Sequence, residues 1–282
     1  MIPKIIHWCW LGGGPLPEKI ALCIDSWKKV MPDYQIKCWT TKEFDVNSIP
    51  FVKTAFERKR WAFCADYIRA YALYTEGGIY LDSDVQVLKP FDCFLDVRCV
   101  LPIELNRAPS TATHLPIEEI RAKYERNGCA LPQDTDFRPG IGVQAAILMG
   151  EKGHPYFKKV MAYYEAQTAA PVGNNLDDIL IAPTVYARMA LDYGFRYADE
   201  GQMLHEGIRV IPSSIMCVAN YIGPAAVAVH LENHSWIELS IGQCVYAKLA
   251  QNKLLRSAIR AVREHSIFNG LYRLLRRFVW GK

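Results

Sequence analysis

None of the nine cysteines (9, 23, 38, 64, 93, 99, 129, 217 and 244) stands in a CxxC pair, and their spacing forms no regular framework. Zinc knuckles and a disulfide scaffold are therefore not indicated, and the cysteines read as small core side chains in a reducing compartment. An unbroken membrane span is missing too. The longest uncharged run, Val210 to Leu231, is interrupted by Pro212, Ser213, Ser214, Asn220, Gly223, Pro224 and His230, which suits buried strands and a loop better. No internal repeat or low-complexity segment occurs. The opening MIPKIIHWCW enters a strand-like apolar run without the basic segment, apolar core and small-residue cleavage site of a secretory leader, so the expected location is cytoplasmic.

With 282 residues the chain is long enough for one large domain burying roughly three quarters of its unfolded surface. The overall charge of +4 is unevenly spread. Residues 246–282 carry nine Lys or Arg against the single acid Glu264, a net +8, which leaves −4 for the rest. We therefore expect a main domain over residues 1–243 and a basic helical extension over 244–282. In that extension Phe268, Leu271, Leu275 and Phe278 recur at helical spacing with Arg273, Arg276 and Arg277 on or beside the other face. Such a layout suits peripheral contact with an anionic membrane surface, and equally a helix packed on the domain.

Hydrophobic periodicity outlines the main domain. Lys4 to Trp10 reads as a buried strand. Ile20, Ile24, Trp27 and Met31 follow one helical face up to Pro32, and QIKCW at 35–39 alternates as a second strand. A helix over about 51–75, with a break near Arg60, closes at Gly77-Gly78, and the strand GGIYLDSDV follows. Strand and helix alternating in this way predict an α/β domain with a mostly parallel central sheet, in which ligands sit at the carboxyl ends of the strands. Residues 104–140 read as loops and short helices. GIGVQAAILMG at 140–150 reads as a returning strand, with helices expected near 154–168 and 177–193.

The chemistry concentrates in DSD. On a strand Asp82 and Asp84 would face one ligand while Ser83 points away, offering hard oxygen ligands to Mn²⁺ or Mg²⁺ and, through the metal, to a nucleotide diphosphate. A solvated strand end or an Asx turn would explain so short a pattern equally well. On the preceding helix, Asp66 and Arg69 share a face at i, i+3, as an acid and a fork-shaped donor or as an intrahelical salt bridge.

The strings IPKIIHWCWLGG, SWKKVMPDYQIKCW, ADYIRAYALYTEGGIYLDSDVQVLKP and HLENHSW together resemble glycosyltransferase family 32, the DxD sugar-transferases that include capsular polysaccharide enzymes and are similar in plan to the catalytic domain of the glucosylating toxins. The resemblance is dense over residues 1–90, thin from 91 to 229, and returns at 230–236. It implies a GT-A fold, a nucleotide-sugar donor, a divalent metal (Mn²⁺ or Mg²⁺) and retention of anomeric configuration. By position it implies Asp84 and His230 as metal ligands, with His234 a weaker candidate. Asp82, Tyr80 and Arg69 would lie on the sugar phosphate and ribose or hexose, Asp66 on sugar hydroxyls, and Trp8 and Trp10 at the base. Ser235 and Trp236 would close over the diphosphate, and Asp82, Asp84 and Arg69 would be the catalytic set. Two departures bear on specificity: Gln144 stands where relatives often carry Asn, and Ala182-Pro183-Thr184 replaces Thr-Gly-Pro. Asp177 and Asp178 are either donor-sugar contacts or an acidic helix start.

The expected activity is transfer of a hexose, galactose or glucose from a UDP-sugar, to an oligosaccharide or lipid-linked acceptor in surface polysaccharide synthesis. GDP-mannose is the alternative donor. A metal-dependent phosphohydrolase using the same DxD, or a non-catalytic sugar-nucleotide module, are the competing classes. No nucleic-acid partner is expected.

Overall fold

The computed structural model describes residues 1–105, 116–168, 180–219 and 222–231. Its strands are β1 (Ile5–Cys9), β2 (Gln35–Trp39), β3 (Gly78–Leu81), β4 (Val85–Val87), β5 (Cys99–Leu105), β6 (Ile141–Val143), β7 (Ile147–Gly150), β8 (Gln202–Met203), β9 (Ile208–Ile211), β10 (Met216–Val218) and β11 (Ala228–His230). The helices are α1 (Glu18–Val30), α2 (Pro50–Glu57), α3 (Trp61–Glu76), α4 (Ile117–Arg126), α5 (Pro155–Glu165) and α6 (Ala182–Leu191).

The main sheet runs β2-β1-β3-β7-β5-β9-β8, with β6 beside β5, and a second sheet runs β10-β11-β4. The pairings β1–β2, β1–β3 and β5–β9 are parallel, and β7 is antiparallel to both β3 and β5. Hence β2, β1, β3, β5 and β9 share one direction, as an α/β domain requires. Alternation along the strands separates two cores. Tyr80, Leu148, Cys99 and Leu101 face the side covered by α2, α3, α5 and α6. Ile79, Leu81, Ile147, Met149 and Val100 face the side covered by α1 and the small sheet.

Local chemistry explains the boundaries. α2 stops in a Schellman turn: Lys59 sits at φ 56°, its N–H reaches the Phe56 carbonyl at 2.9 Å, and the Arg60 N–H reaches the Ala55 carbonyl at 2.8 Å. This is the break expected near Arg60. α3 ends at Gly77 (φ 72°), where a Cβ would lie 2.6 Å from the Lys152 nitrogen, and at Gly78 one would lie 2.5 Å from the Ile5 carbonyl oxygen. Only glycine lets α3 turn so tightly into β3.

Two expectations need correction. DSD does not lie along one strand. β3 ends at Leu81, Asp82–Asp84 form a turn closed by the Val85 N–H on the Asp82 carbonyl at 3.0 Å, and β4 then joins the other sheet. The returning strand is also split, into β6 and β7, by Gln144–Ala146. Of the helix expected near 177–193, the described residues contain α6 from Ala182 to Leu191. The run from Val210 to Leu231 contains the end of β9, then β10 and β11, as strands and a loop. Cys23, Cys64, Cys99, Cys129 and Cys217 are buried free thiols. No helix among the described residues is long and apolar enough to cross a membrane. Asp177, Asp178, His234, Ser235, Trp236 and the basic extension from 244 lie outside the described residues.

Candidate active site

α3 is buried on nearly every side, and its interior charges need partners to be tolerated there. Arg69, 4 % exposed, is held by four polar contacts. Its Nε donates to the Ala65 carbonyl at 3.1 Å and its Nη1 to the Ala145 carbonyl at 2.7 Å. Its Nη2 lies 3.0 Å from Asp66 Oδ1 and 3.3 Å from Asp82 Oδ1. The guanidinium also sits over the Tyr80 ring, 5.0 Å from the centroid. Tyr80 lies in β3 two residues before Asp82, and its hydroxyl donates to Asp82 Oδ1 at 2.9 Å. Asp82 is thus oriented by two donors converging on one oxygen.

The split in the returning strand serves this site. Where the strand breaks at Gln144–Ala146, the Ala145 carbonyl is available to Arg69, while the Asp82 N–H on the Ala146 carbonyl at 2.9 Å lies one step beyond the Leu81–Ile147 pair. A continuous strand would have spent the Ala145 carbonyl on pairing with its neighbour.

Beyond the turn, β4 pairs antiparallel with β11, setting Val85 opposite His230. That register brings His230 Nε2 to 3.4 Å from Asp84 Oδ1, and Asp82, Asp84 and His230 can each aim a ligand atom within 4.8 Å of the others. Burial works to lower the His230 pKa, but its bond to Asp84 and the charges of Asp84, Asp82 and Glu104 raise it to about 9. Its Nδ1 is buried without a hydrogen-bond partner. Two carboxylates and an imidazole, with ligand atoms so close together, are a donor set that suits Mn²⁺ and accepts Mg²⁺. Burial pushes the Asp66 carboxyl up to about 7, against the pull of Arg69 and with the help of Asp82.

The two tryptophans of β1 differ in surroundings. Trp8 is core, edge-on to Trp27 at 6.1 Å, while Trp10 is half-buried, 6.3 Å from Trp8, with its indole N–H on the Gly14 carbonyl at 3.3 Å. Gln144 is 1 % exposed and neither atom of its side-chain amide has a hydrogen-bond partner. It lines a small cleft with Glu104, Ser213 and Cys217.

Two positioning groups were not legible in the sequence. The Trp27 indole N–H donates to the Val85 carbonyl at 2.7 Å, and Ser26 Oγ accepts the Val87 N–H at 3.0 Å. α1 thereby satisfies two main-chain groups of β4, directly after Asp84. Helical spacing marks Trp27 only as a core residue, and nothing local says what its N–H would meet.

Residues 17–101 match the family profile described as a glycosyltransferase sugar-binding region containing a DXD motif. Inositol phosphoceramide mannosyltransferase 3 of Schizosaccharomyces pombe is 36 % identical over 98 residues, which cover 33 % of this chain and 27 % of that protein. The chain thus spans about a quarter of the length of that curated relative. Among solved structures, the PaToxG glycosyltransferase is 18 % identical, with 68 % of this chain and 69 % of that one covered at a TM-score of 0.42. The galactosyltransferase LgtC, solved with donor and acceptor sugar analogues, is 12 % identical, with 80 % and 86 % covered at a TM-score of 0.38. The matched segment runs from α1 into β5 and carries Asp66, Arg69, Asp82 and Asp84.

Proposed function

We propose that the protein is a retaining glycosyltransferase that moves a hexose from a nucleotide-diphosphate sugar to a glycan or lipid-linked acceptor. The observation that carries this reading is the convergence of Asp82, Asp84 and His230 at the carboxyl end of β3, directly above the buried Arg69. Asp82, Asp84 and His230 would hold a divalent cation, Mn²⁺ or Mg²⁺. When bound, the ion supplies positive charge to the leaving diphosphate.

The chain's own groups do the rest. Arg69 and Tyr80 fix Asp82 by their shared hold on Oδ1, so the turn meets a ligand without rearranging. Asp66, Asp82 and Gln144 offer acceptors and an amide to sugar hydroxyls, and Trp10 offers a partly open indole face to a base. In a front-face route the leaving phosphate takes the proton of the acceptor hydroxyl, and the product keeps the donor's α configuration. UDP-galactose or UDP-glucose is the first donor to try. GDP-mannose is the second, favoured by the mannosyltransferase relative. Ser235 and Trp236 remain candidates for closing over the diphosphate, and the basic extension for an anionic membrane surface at the inner face of the cell membrane.

A thermal-shift panel of UDP-, GDP- and CDP-sugars with and without Mn²⁺ tests the reading, because a ligand that binds only the folded state raises Tm. We expect a shift that needs both one nucleotide and the metal, and its loss in Asp84→Asn with the ligand-free Tm nearly unchanged. A metal-independent shift, or a full shift retained by Asp84→Asn, would remove the cation from the site. Rapid donor hydrolysis with no transfer to any acceptor would instead support the phosphohydrolase reading.

A further inference from the structure

Arg69 is anchored from two directions, by α3 through Ala65 and Asp66 and by the split strand through the Ala145 carbonyl. One helix touches both supports. Tyr186 of α6, with no exposure, donates its hydroxyl to the Asp66 carbonyl at 2.9 Å. One turn earlier, Pro183 is pressed so closely on β6 that a Cβ at Gly142 would lie 3.0 Å from the Pro183 carbonyl oxygen. Gly142 is two residues before Gln144, where the split begins. α6 therefore fixes the register of α3 and of the strand against each other, with Arg69 between them.

The Tyr186 bond is not needed to satisfy the backbone. The Asp66 carbonyl lies inside α3, where the helix's own i to i+4 bond already engages it. The hydroxyl adds a second donor to a carbonyl whose residue bears one of the two carboxylates on Arg69. The phenol also lies in the field of Arg69, Asp66 and Asp82, and its burial keeps it protonated. Behind it, the Tyr156 hydroxyl donates to the Tyr186 carbonyl at 2.9 Å, so α5 braces α6 in turn.

We infer that Tyr186 is a positioning residue for the donor site: its hydroxyl on the Asp66 carbonyl holds α3 at the depth from which Arg69 orients Asp82. This rests on the glycosyl-transfer reading. It predicts that removing one oxygen, outside the cluster that meets the ligand, weakens donor binding without lowering the amount of folded protein.

The test is calorimetric titration of the full chain with Mn²⁺ and UDP, and with Mn²⁺ and GDP, for wild type, Tyr186→Phe and Tyr156→Phe. For whichever nucleotide wild type binds, Tyr186→Phe should raise Kd about tenfold, or about 1.4 kcal/mol, with unchanged stoichiometry. Tyr156→Phe, which keeps the hydroxyl on Asp66, should stay within about threefold, roughly 0.6 kcal/mol. A merely structural role would lower the stoichiometry and leave Kd alone, which would overturn the inference. Equal Kd values in wild type and Tyr186→Phe, or equal weakening in both variants, would overturn it too. If wild type binds neither nucleotide, the transferase reading itself falls and this inference with it. Should Tyr186→Phe fail to fold, 3-fluorotyrosine placed at position 186 keeps the hydroxyl. Its ¹⁹F resonance should shift on addition of Mn²⁺ with the binding nucleotide, and an unmoved resonance would refute the coupling.

Discussion

Arg69→Lys keeps the positive charge and removes the planar fork, and the geometry allows its cost to be worked through. The guanidinium spends three nitrogens on four oxygens: Ala65 at 3.1 Å, Ala145 at 2.7 Å, Asp66 at 3.0 Å and Asp82 at 3.3 Å. An ammonium carries its donors on one atom and cannot reach a carbonyl of its own helix, a carbonyl of the split strand and two carboxylates together. Keeping the carboxylates abandons Ala145, a 2 % exposed residue, and leaves its carbonyl unpaired at a cost of about 1–3 kcal/mol. Loosening one carboxylate forfeits a charged hydrogen bond of about 1.5–3 kcal/mol. With the charge retained, we expect a net loss of about 2–4 kcal/mol in urea unfolding, and a fall in Tm of roughly 5–15 °C for a domain of this size. This exceeds what an exposed i, i+3 ion pair would cost, which is a few tenths of a kcal/mol. Transfer should fall about 10²–10³-fold, because Asp82 loses its orienting donor. A variant within about 0.5 kcal/mol of wild type, with transfer reduced less than threefold, would refute the four-contact account.

Gln144 buries an amide with no internal partner, so Gln144→Met should stabilise the ligand-free protein by about 1–3 kcal/mol while lowering transfer. A destabilised variant with full activity would make the glutamine structural. His7 is fully buried, accepts the Trp39 indole N–H on Nδ1 at 3.1 Å and donates from Nε2 to the Gly77 carbonyl at 2.8 Å. Burial lowers its pKa below the usual imidazole value. The unfolded chain therefore takes up this proton first. His7 favours the fold above pH about 6.5, and that contribution is lost as pH falls toward the depressed value, at up to about 1.4 kcal/mol per pH unit. His7→Gln should flatten the decline of unfolding free energy between pH 7 and 5, and an unchanged slope would mean other groups carry it.

The sequence by itself determined the elements whose signals are local. The face Ile20, Ile24, Trp27, Met31 and the following proline specify α1, and Gly77-Gly78 stop α3 because no side chain fits there. The alternation of Ile79, Tyr80 and Leu81 places Tyr80 on the α3 side. The same short-range patterns carried the DSD, Asp66 and Arg69 candidates. Their surroundings came from tertiary structure. That Asp82–Asp84 form the crossing from one sheet to the other depends on β4 finding β11, more than 140 residues later, and the same pairing delivers His230 to Asp84. That Arg69 is a buried four-way anchor and not a surface ion pair depends on α5 and α6 covering α3, and on the break at Gln144–Ala146 offering the Ala145 carbonyl. Periodicity reports which side of an element is apolar. It carries no information on which distant backbone group will satisfy a buried donor, because that choice is made only when non-adjacent segments pack and each polar group must find a partner.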